Sequence, residues 1–169
     1  MYTFDINNIP LSNSNNTPDE IYNKKYNFNN VEYNILKYNK IKLKEYENNN
    51  NYDKFNILSK FRSIIMKNNK IICYSPSKSV GYTYFKNKNT DLSQCWVEDF
   101  IDGTMINVFY DTINNCWEIA TKSTVGGNIS FFNNDYNKNN EYTFRKMFFE
   151  TCNYNNFDLN ILNTKFTYT

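Results

Sequence analysis

The stretch Cys95–Gly127, CWVEDFIDGTMINVFYDTINNCWEIATKSTVGG, decides how the chain reads. It holds both tryptophans, Trp96 and Trp117, and three of the four glycines, Gly103, Gly126 and Gly127. It is also the longest run undiluted by asparagine tracts. From Thr104 to Tyr110 the residues are largely β-branched, aromatic or apolar, and Cys116 to Thr124 forms a second strand-like run. Asp111–Asn115 between them reads as a turn of Asp, Thr and Asn. The expectation is an antiparallel hairpin entered through an Asp-Gly pair and closed by a Gly-Gly pair. Glycine at those points permits a positive φ or close approach of the backbone to a ligand.

Upstream of this stretch, Phe61–Tyr74 reads as another hairpin, with FRSIIM as one strand, KNNK as the turn and IICYS as the partner. Pro76 makes Ser75–Ser79 a loop. In Gly81–Lys86 the aromatic residues are placed to pack locally, and Lys86–Ser93 reads as a polar linker. Val31–Tyr46 carries Val31, Ile35, Leu36, Ile41 and Leu43 at a spacing that fits either a helix or two short strands. The run Asn48–Asn51 reads as an exposed loop, and residues 1–30, with Pro10 and Pro18, as a loop-rich segment preceding the domain of 31–169. Downstream, Asn133–Asn140 is another loop. Glu141–Cys152 is the best helix, with Phe144, Met147 and Phe148 on one stripe. Phe157–Leu162 reads as a short helix and Lys165–Thr169 as a strand that stops without a turn, so the chain is expected to be an N-terminal fragment of a longer protein. Hairpins followed by a late helix, without βαβ alternation, give an α+β fold with antiparallel hairpins and packed helices.

Composition narrows the chemistry. At 169 residues the chain fits one domain or part of one. It has no histidine, which excludes Ser-His-Asp and Cys-His catalysis and histidine-bound zinc. A general base must be Asp, Glu, Lys or Tyr. Cys73, Cys95, Cys116 and Cys152 form no C-x-x-C pair and read as free buried thiols in a reducing compartment. The net charge of +2 makes no case for or against nucleic acid. Asparagine fills about a fifth of the chain, a bias of the kind an A- and T-rich genome produces, and it says little about the fold. No apolar run reaches the length of a membrane span and no signal-peptide core is present, so the expectation is a soluble protein of the cytoplasm, that of a virus-infected host cell included.

Four ordered motifs are similar to the N-terminal adenylating domain of phage-type RNA ligases and their relatives in large DNA viruses. Phe61-Arg62-Ser63-Ile64-Ile65 resembles that family's early arginine strand. Ser75-Pro76-Ser77-Lys78, followed by Phe85, resembles its proline-lysine loop. Asp102-Gly103-Thr104-Met105-Ile106 resembles the end of its K-x-D-G motif, and Glu118-Ile119-Ala120-Thr121-Lys122-Ser123 its partner strand. The resemblance covers roughly Phe61–Gly127. It implies a nucleotidyltransferase fold that uses ATP and Mg2+ to adenylate itself, passes AMP to an RNA 5′-phosphate and joins that end to a 3′-hydroxyl. It implies nucleotide contacts from Arg62 and from Asp102, Gly103 and Thr104; Asp102 would anchor the motif turn or help hold metal, and no residue is assigned as a dedicated metal ligand.

Phe100 stands where the family has its nucleophilic lysine, in Phe100-Ile101-Asp102-Gly103. Lys122 and Lys78 are the lysines in matched motifs that remain for that role; contact with phosphates, or plain exposure, is the other reading of both. The family's later ribose-binding glutamate and lysine pair have no counterpart up to Thr169, so a fragment alone is expected to be inactive. A non-catalytic nucleotide- or RNA-binding module is the second functional reading, and a purely structural domain the third.

Overall fold

The computed structural model describes residues 20–89, 91–99, 102–130 and 142–169. Asparagine pairs build its main sheet. Strands β1 (Ile21–Phe28) and β2 (Val31–Tyr38) are joined by Asn29-Asn30, and β3 (Ile64–Lys67) and β4 (Lys70–Tyr74) by Asn68-Asn69. All four linking residues have positive φ, from 49° to 61°. Two-residue hairpin loops of this type need positive φ at both positions, and asparagine tolerates that region better than other residues bearing a Cβ. The four strands run antiparallel in the order β1-β2-β3-β4.

Helices α1 (Lys40–Asn48) and α2 (Tyr52–Ser59) connect β2 to β3, each N-capped by an asparagine side chain, Asn39 and Asn51. Alternation along β2 divides the core. Leu36 and Tyr38 join Ile64 and Met66 against Leu43, Phe55, Leu58 and Phe61 on the helix side. Tyr33 and Ile35 join Ile65 and Cys73 on the other face. There they meet Phe109, Ala120 and Val125, which belong to the hairpin of β5 (Asn107–Asp111) and β6 (Cys116–Ala120) and the turn that follows it. The far side of that hairpin buries Val108, Trp117 and Ile119 beneath Phe148 and Phe149 of α4 (Phe144–Tyr154) and beneath Leu159, Leu162 and Tyr168. The fold is α+β, with antiparallel sheets. A further short helix, α3 (Tyr82–Lys88), accounts for the local aromatic run.

Several expectations are corrected. Residues 21–28, read as loop, form β1, because Asn29-Asn30 makes the same turn as Asn68-Asn69. Val31–Tyr46 is a strand running into a helix. The residues after the asparagine run are α2. The central hairpin is shorter than read: β5 begins at Asn107, and β6 ends at Ala120 because Thr121 turns back to bond Thr124. Helix α4 starts at Phe144, with Thr143 Oγ1 accepting from the Lys146 N–H. Its packing face is Phe148 and Phe149, while Met147 is exposed. Phe157–Leu162 contains only a single 3-10 turn, Leu159–Ile161, and Lys165–Thr169 makes one bridge, Tyr168 to Val108. Of the four cysteines, all free, only Cys73 is buried. Pro10, Pro18, Asn133–Asn140 and Glu141 lie outside the described residues. No helix among the described residues is long and apolar enough to cross a membrane.

Buried charges join the two β layers. Lys67 Nζ of β3 lies 3.7 Å from Asp111 Oδ1 at the end of β5, and both side chains are almost inaccessible. Tyr33 OH of β2 donates to Asp111 Oδ2 at 3.4 Å. Asp111 also caps its own turn, accepting from the N–H groups of Ile113 and Asn114 and from Asn114 Nδ2. Burial pushes its carboxyl up, but these donors and Lys67 outweigh burial and hold it below the ordinary carboxylate range. Asp111→Ala should therefore cost about 3–5 kcal/mol in urea unfolding, because it strands Lys67 without an anion. A depressed carboxyl contributes stability that is complete above its unfolded value of about 3.9 and is lost as pH falls through the folded value. Asp111→Asn should accordingly make the acid limb of the stability curve shallower; an unchanged limb would contradict the assignment.

Candidate functional site

A tight turn after β6 carries the site. The Thr121 N–H donates to Thr124 O at 2.9 Å, and the two threonine hydroxyls bond each other at 2.9 Å. Ala120 pairs with Val125 below them, which leaves Lys122 and Ser123 at the tip. The return leg is pressed onto β1. Gly126 has φ +83°, and a Cβ on it would fall 2.1 Å from Cε2 of Phe28, so no other residue fits. Arg145 of α4 locks the leg from the other side. Its Nη1 donates to Gly126 O at 3.2 Å and pairs with Glu118, while its backbone N–H donates to Gly127 O at 3.0 Å.

The tip therefore lies over the end of the main sheet. Lys24 Nζ donates to Ser123 O at 3.2 Å and Lys37 Nζ to Ser123 Oγ at 3.0 Å. Lys122 Nζ donates to Tyr38 OH at 3.1 Å and stands 4.3 Å from the centre of that ring. Lys122 is half-buried. Burial, then the charges of Lys40, Arg62 and Lys78, push its amine below the ordinary lysine range. Lys37 is lowered in the same way, by burial and then by Lys24, Lys122 and Lys40. Four cations besides the pair itself thus act on Lys37 or Lys122, and no described carboxylate is among the charges that shift either amine. Lys40 is also the first residue of α1, where the helix dipole adds positive potential. In a chain of net charge +2 this is a concentrated positive field, and it is complementary to a polyanion.

Of the residues singled out from the sequence, Arg62 and Lys78 are near enough for their charges to act on Lys122. Arg62 is half-buried, with no ion pair among the described residues. Lys78 is exposed; its N–H is tied to Ser59 O at 3.1 Å and its amine bonds only its neighbour Ser79. Asp102, Gly103 and Thr104 are exposed in the segment that leads into β5, whose first residue pairs with Ala120. They enter the hairpin from the end that carries Lys122, but Asp102 is not among the charges acting on that amine. Apart from its chain neighbours, no described residue comes within 4 Å of the Cβ position of Gly103. Phe100 lies outside the described residues.

The sequence reading missed Lys24, Lys37, Lys40 and Tyr38. The signal was a lysine in the core register of β2, where Tyr33, Ile35 and Lys37 share one face. It becomes visible only once 31–38 is read as a strand. The thiols take no part: burial pushes Cys73 up to about 12, where it is inert. Among the described residues no cluster of three or more Asp, Glu or Cys side chains could hold a metal ion.

If the Gly126–Phe28 contact sets the tip, Gly126→Ala should lower stability by at least about 1–2 kcal/mol, the cost of a left-handed residue with a Cβ. Phe28→Ala in the Gly126→Ala background should recover part of that loss. Strict additivity in the double-mutant cycle would show the contact to be irrelevant. No family model, curated protein or solved structure matches the chain.

Proposed function

We propose that the chain is the nucleotide-phosphate-binding part of an ATP-dependent RNA ligase-like protein, with Lys122 as the amine that accepts the adenylyl group. The observation that carries this reading is the convergence of Lys122 with Arg62, Lys78, Lys40 and Lys37, with no carboxylate among the described residues in the charges that shift the two amines. A triphosphate supplies the missing negative charge. The same cations that hold it also keep a fraction of Lys122 unprotonated, which a nucleophilic amine requires. Lys78 fits the nucleophile's role less well, since its amine is exposed and bonded to Ser79; it fits a phosphate contact.

In the proposed step the lone pair of Lys122 Nζ attacks the α-phosphorus of ATP. An N–P bond forms, the bond from that phosphorus to its bridging oxygen breaks, pyrophosphate leaves, and the amine proton passes to solvent. Arg62, Lys78 and Lys40 neutralise the charge that builds on the phosphate oxygens. The adenylyl group is then passed to an RNA 5′-phosphate, and a 3′-hydroxyl displaces AMP to seal the ends. A second reading, a binding module without catalysis, is favoured by Phe100 at the place of the motif lysine.

Labelling separates the two. The protein incubated with Mg2+ and ATP labelled at the α-phosphate should carry label, and Lys122→Arg should bind ATP but carry none. Binding by the wild type without labelling selects the module; neither binding nor labelling removes both readings. The pH dependence is a further check. The neutral amine attacks, so a depressed value means that labelling rises with pH and levels off below the ordinary lysine value of about 10.4. Lys78→Met should move that inflection upward, because it removes one of the charges that depress Lys122.

A further inference from the structure

The cations form a row rather than a knot. Lys24 is on β1, Lys37 on β2, Arg62 just before β3 and Lys78 in the loop after β4. The cross-strand pairs Tyr22–Lys37 and Leu36–Ile64 and the bond from the Tyr38 N–H to Phe61 O bring the end of β2 and the start of β3 to one end of the sheet. Adjacent strands are about 4.8 Å apart, so the row runs about 14 Å across the sheet end. That is longer than one triphosphate, whose phosphorus atoms are joined through single oxygens. At the Lys24–Lys37 end stands Tyr22, the cross-strand partner of Lys37 on the same face and 53 % exposed.

We propose that this row holds the successive phosphates of a single-stranded RNA, with Tyr22 stacking on one of its bases, so that the polynucleotide leads along β1 toward the phosphate site at Lys122. This rests on the phosphate-site reading above and adds the path of the RNA and the residues that hold it. An exposed aromatic beside a line of cations is the arrangement that binds single strands without regard to sequence, each phosphate meeting charge and each base a ring face. Lys24 and Lys37 hold Ser123 from two sides, so the strand would pass over the turn tip next to the reactive amine.

The test uses the chain with three probes: inorganic tripolyphosphate, ATP, and a short 5′-phosphorylated oligouridylate. Tyr22→Ala should weaken oligouridylate binding by at least about fivefold, and Tyr22→Phe should restore it. Lys24→Ala should reduce the slope of log affinity against log salt for the oligonucleotide by about 0.7. Tyr22→Ala should leave ATP and tripolyphosphate binding unchanged, which also shows that the turn is intact. Unchanged RNA binding in Tyr22→Ala, or ATP binding that falls in step with RNA binding, overturns the proposal and leaves the phosphate site standing. A wild type that binds neither ATP nor tripolyphosphate overturns the phosphate site and this proposal with it.

Discussion

A carboxylate buried between two β layers holds the rest of the structure in register. Asp111 is the point at which β2, β3 and β5 meet, through Tyr33, Lys67 and its own turn. A one-residue slip of β5 would bring Tyr110 or Thr112 to Lys67 and leave a buried ammonium without an anion, a penalty of several kcal/mol against the wrong pairing. With β5 fixed, β6 is fixed by its ladder, and the turn that follows β6 must land where it does. The position of Lys122 is thus a consequence of a charge pair at the opposite end of the hairpin.

The parts of the fold visible in the sequence are those in which local chemistry and tertiary context agree. The β5–β6 and β3–β4 hairpins are legible because apolar runs flank recognisable turns. So is α4, whose Phe148 carries the expected contact. The first hairpin is hidden because its strand Ile21–Phe28 is an exposed edge rich in Asn and Lys, with no apolar alternation to announce it. Only its turn gives it away, and Asn29-Asn30 sits in a chain so full of asparagine that the pair carries no contrast. The site is legible to the extent that its residues lie in motifs, as Arg62, Lys78 and Lys122 do. Lys24, Lys37 and Lys40 reach it through strand pairing and the start of a helix, and neither is local in sequence.

The cation row also works against folding. Half-buried amines with like-charged neighbours are less protonated in the folded chain than in the unfolded one, so at neutral pH they subtract from stability. The fold tolerates this because the turn is held by interactions that do not depend on those charges: the Thr121–Thr124 bonds, the Gly126–Phe28 contact and the Arg145 clamp. An anion that satisfies the row relieves the repulsion, so ligand binding and stability are linked through the same groups.

The seven left-handed asparagines among the described residues, at Asn29, Asn30, Asn50, Asn68, Asn69, Asn115 and Asn156, have a consequence at the level of the gene. Asparagine codons are built mainly from A and T, and glycine codons begin with two G. A coding sequence drifting toward A and T can exchange glycine for asparagine at open turns, where the side chain has room and the backbone torsion is tolerated. It cannot do so at Gly126, where a Cβ would meet the Phe28 ring, or freely at Gly127, where one would press on Ile119 at 3.0 Å. At these two turn positions lack of space calls for glycine, whereas at the open turns the torsion alone does not.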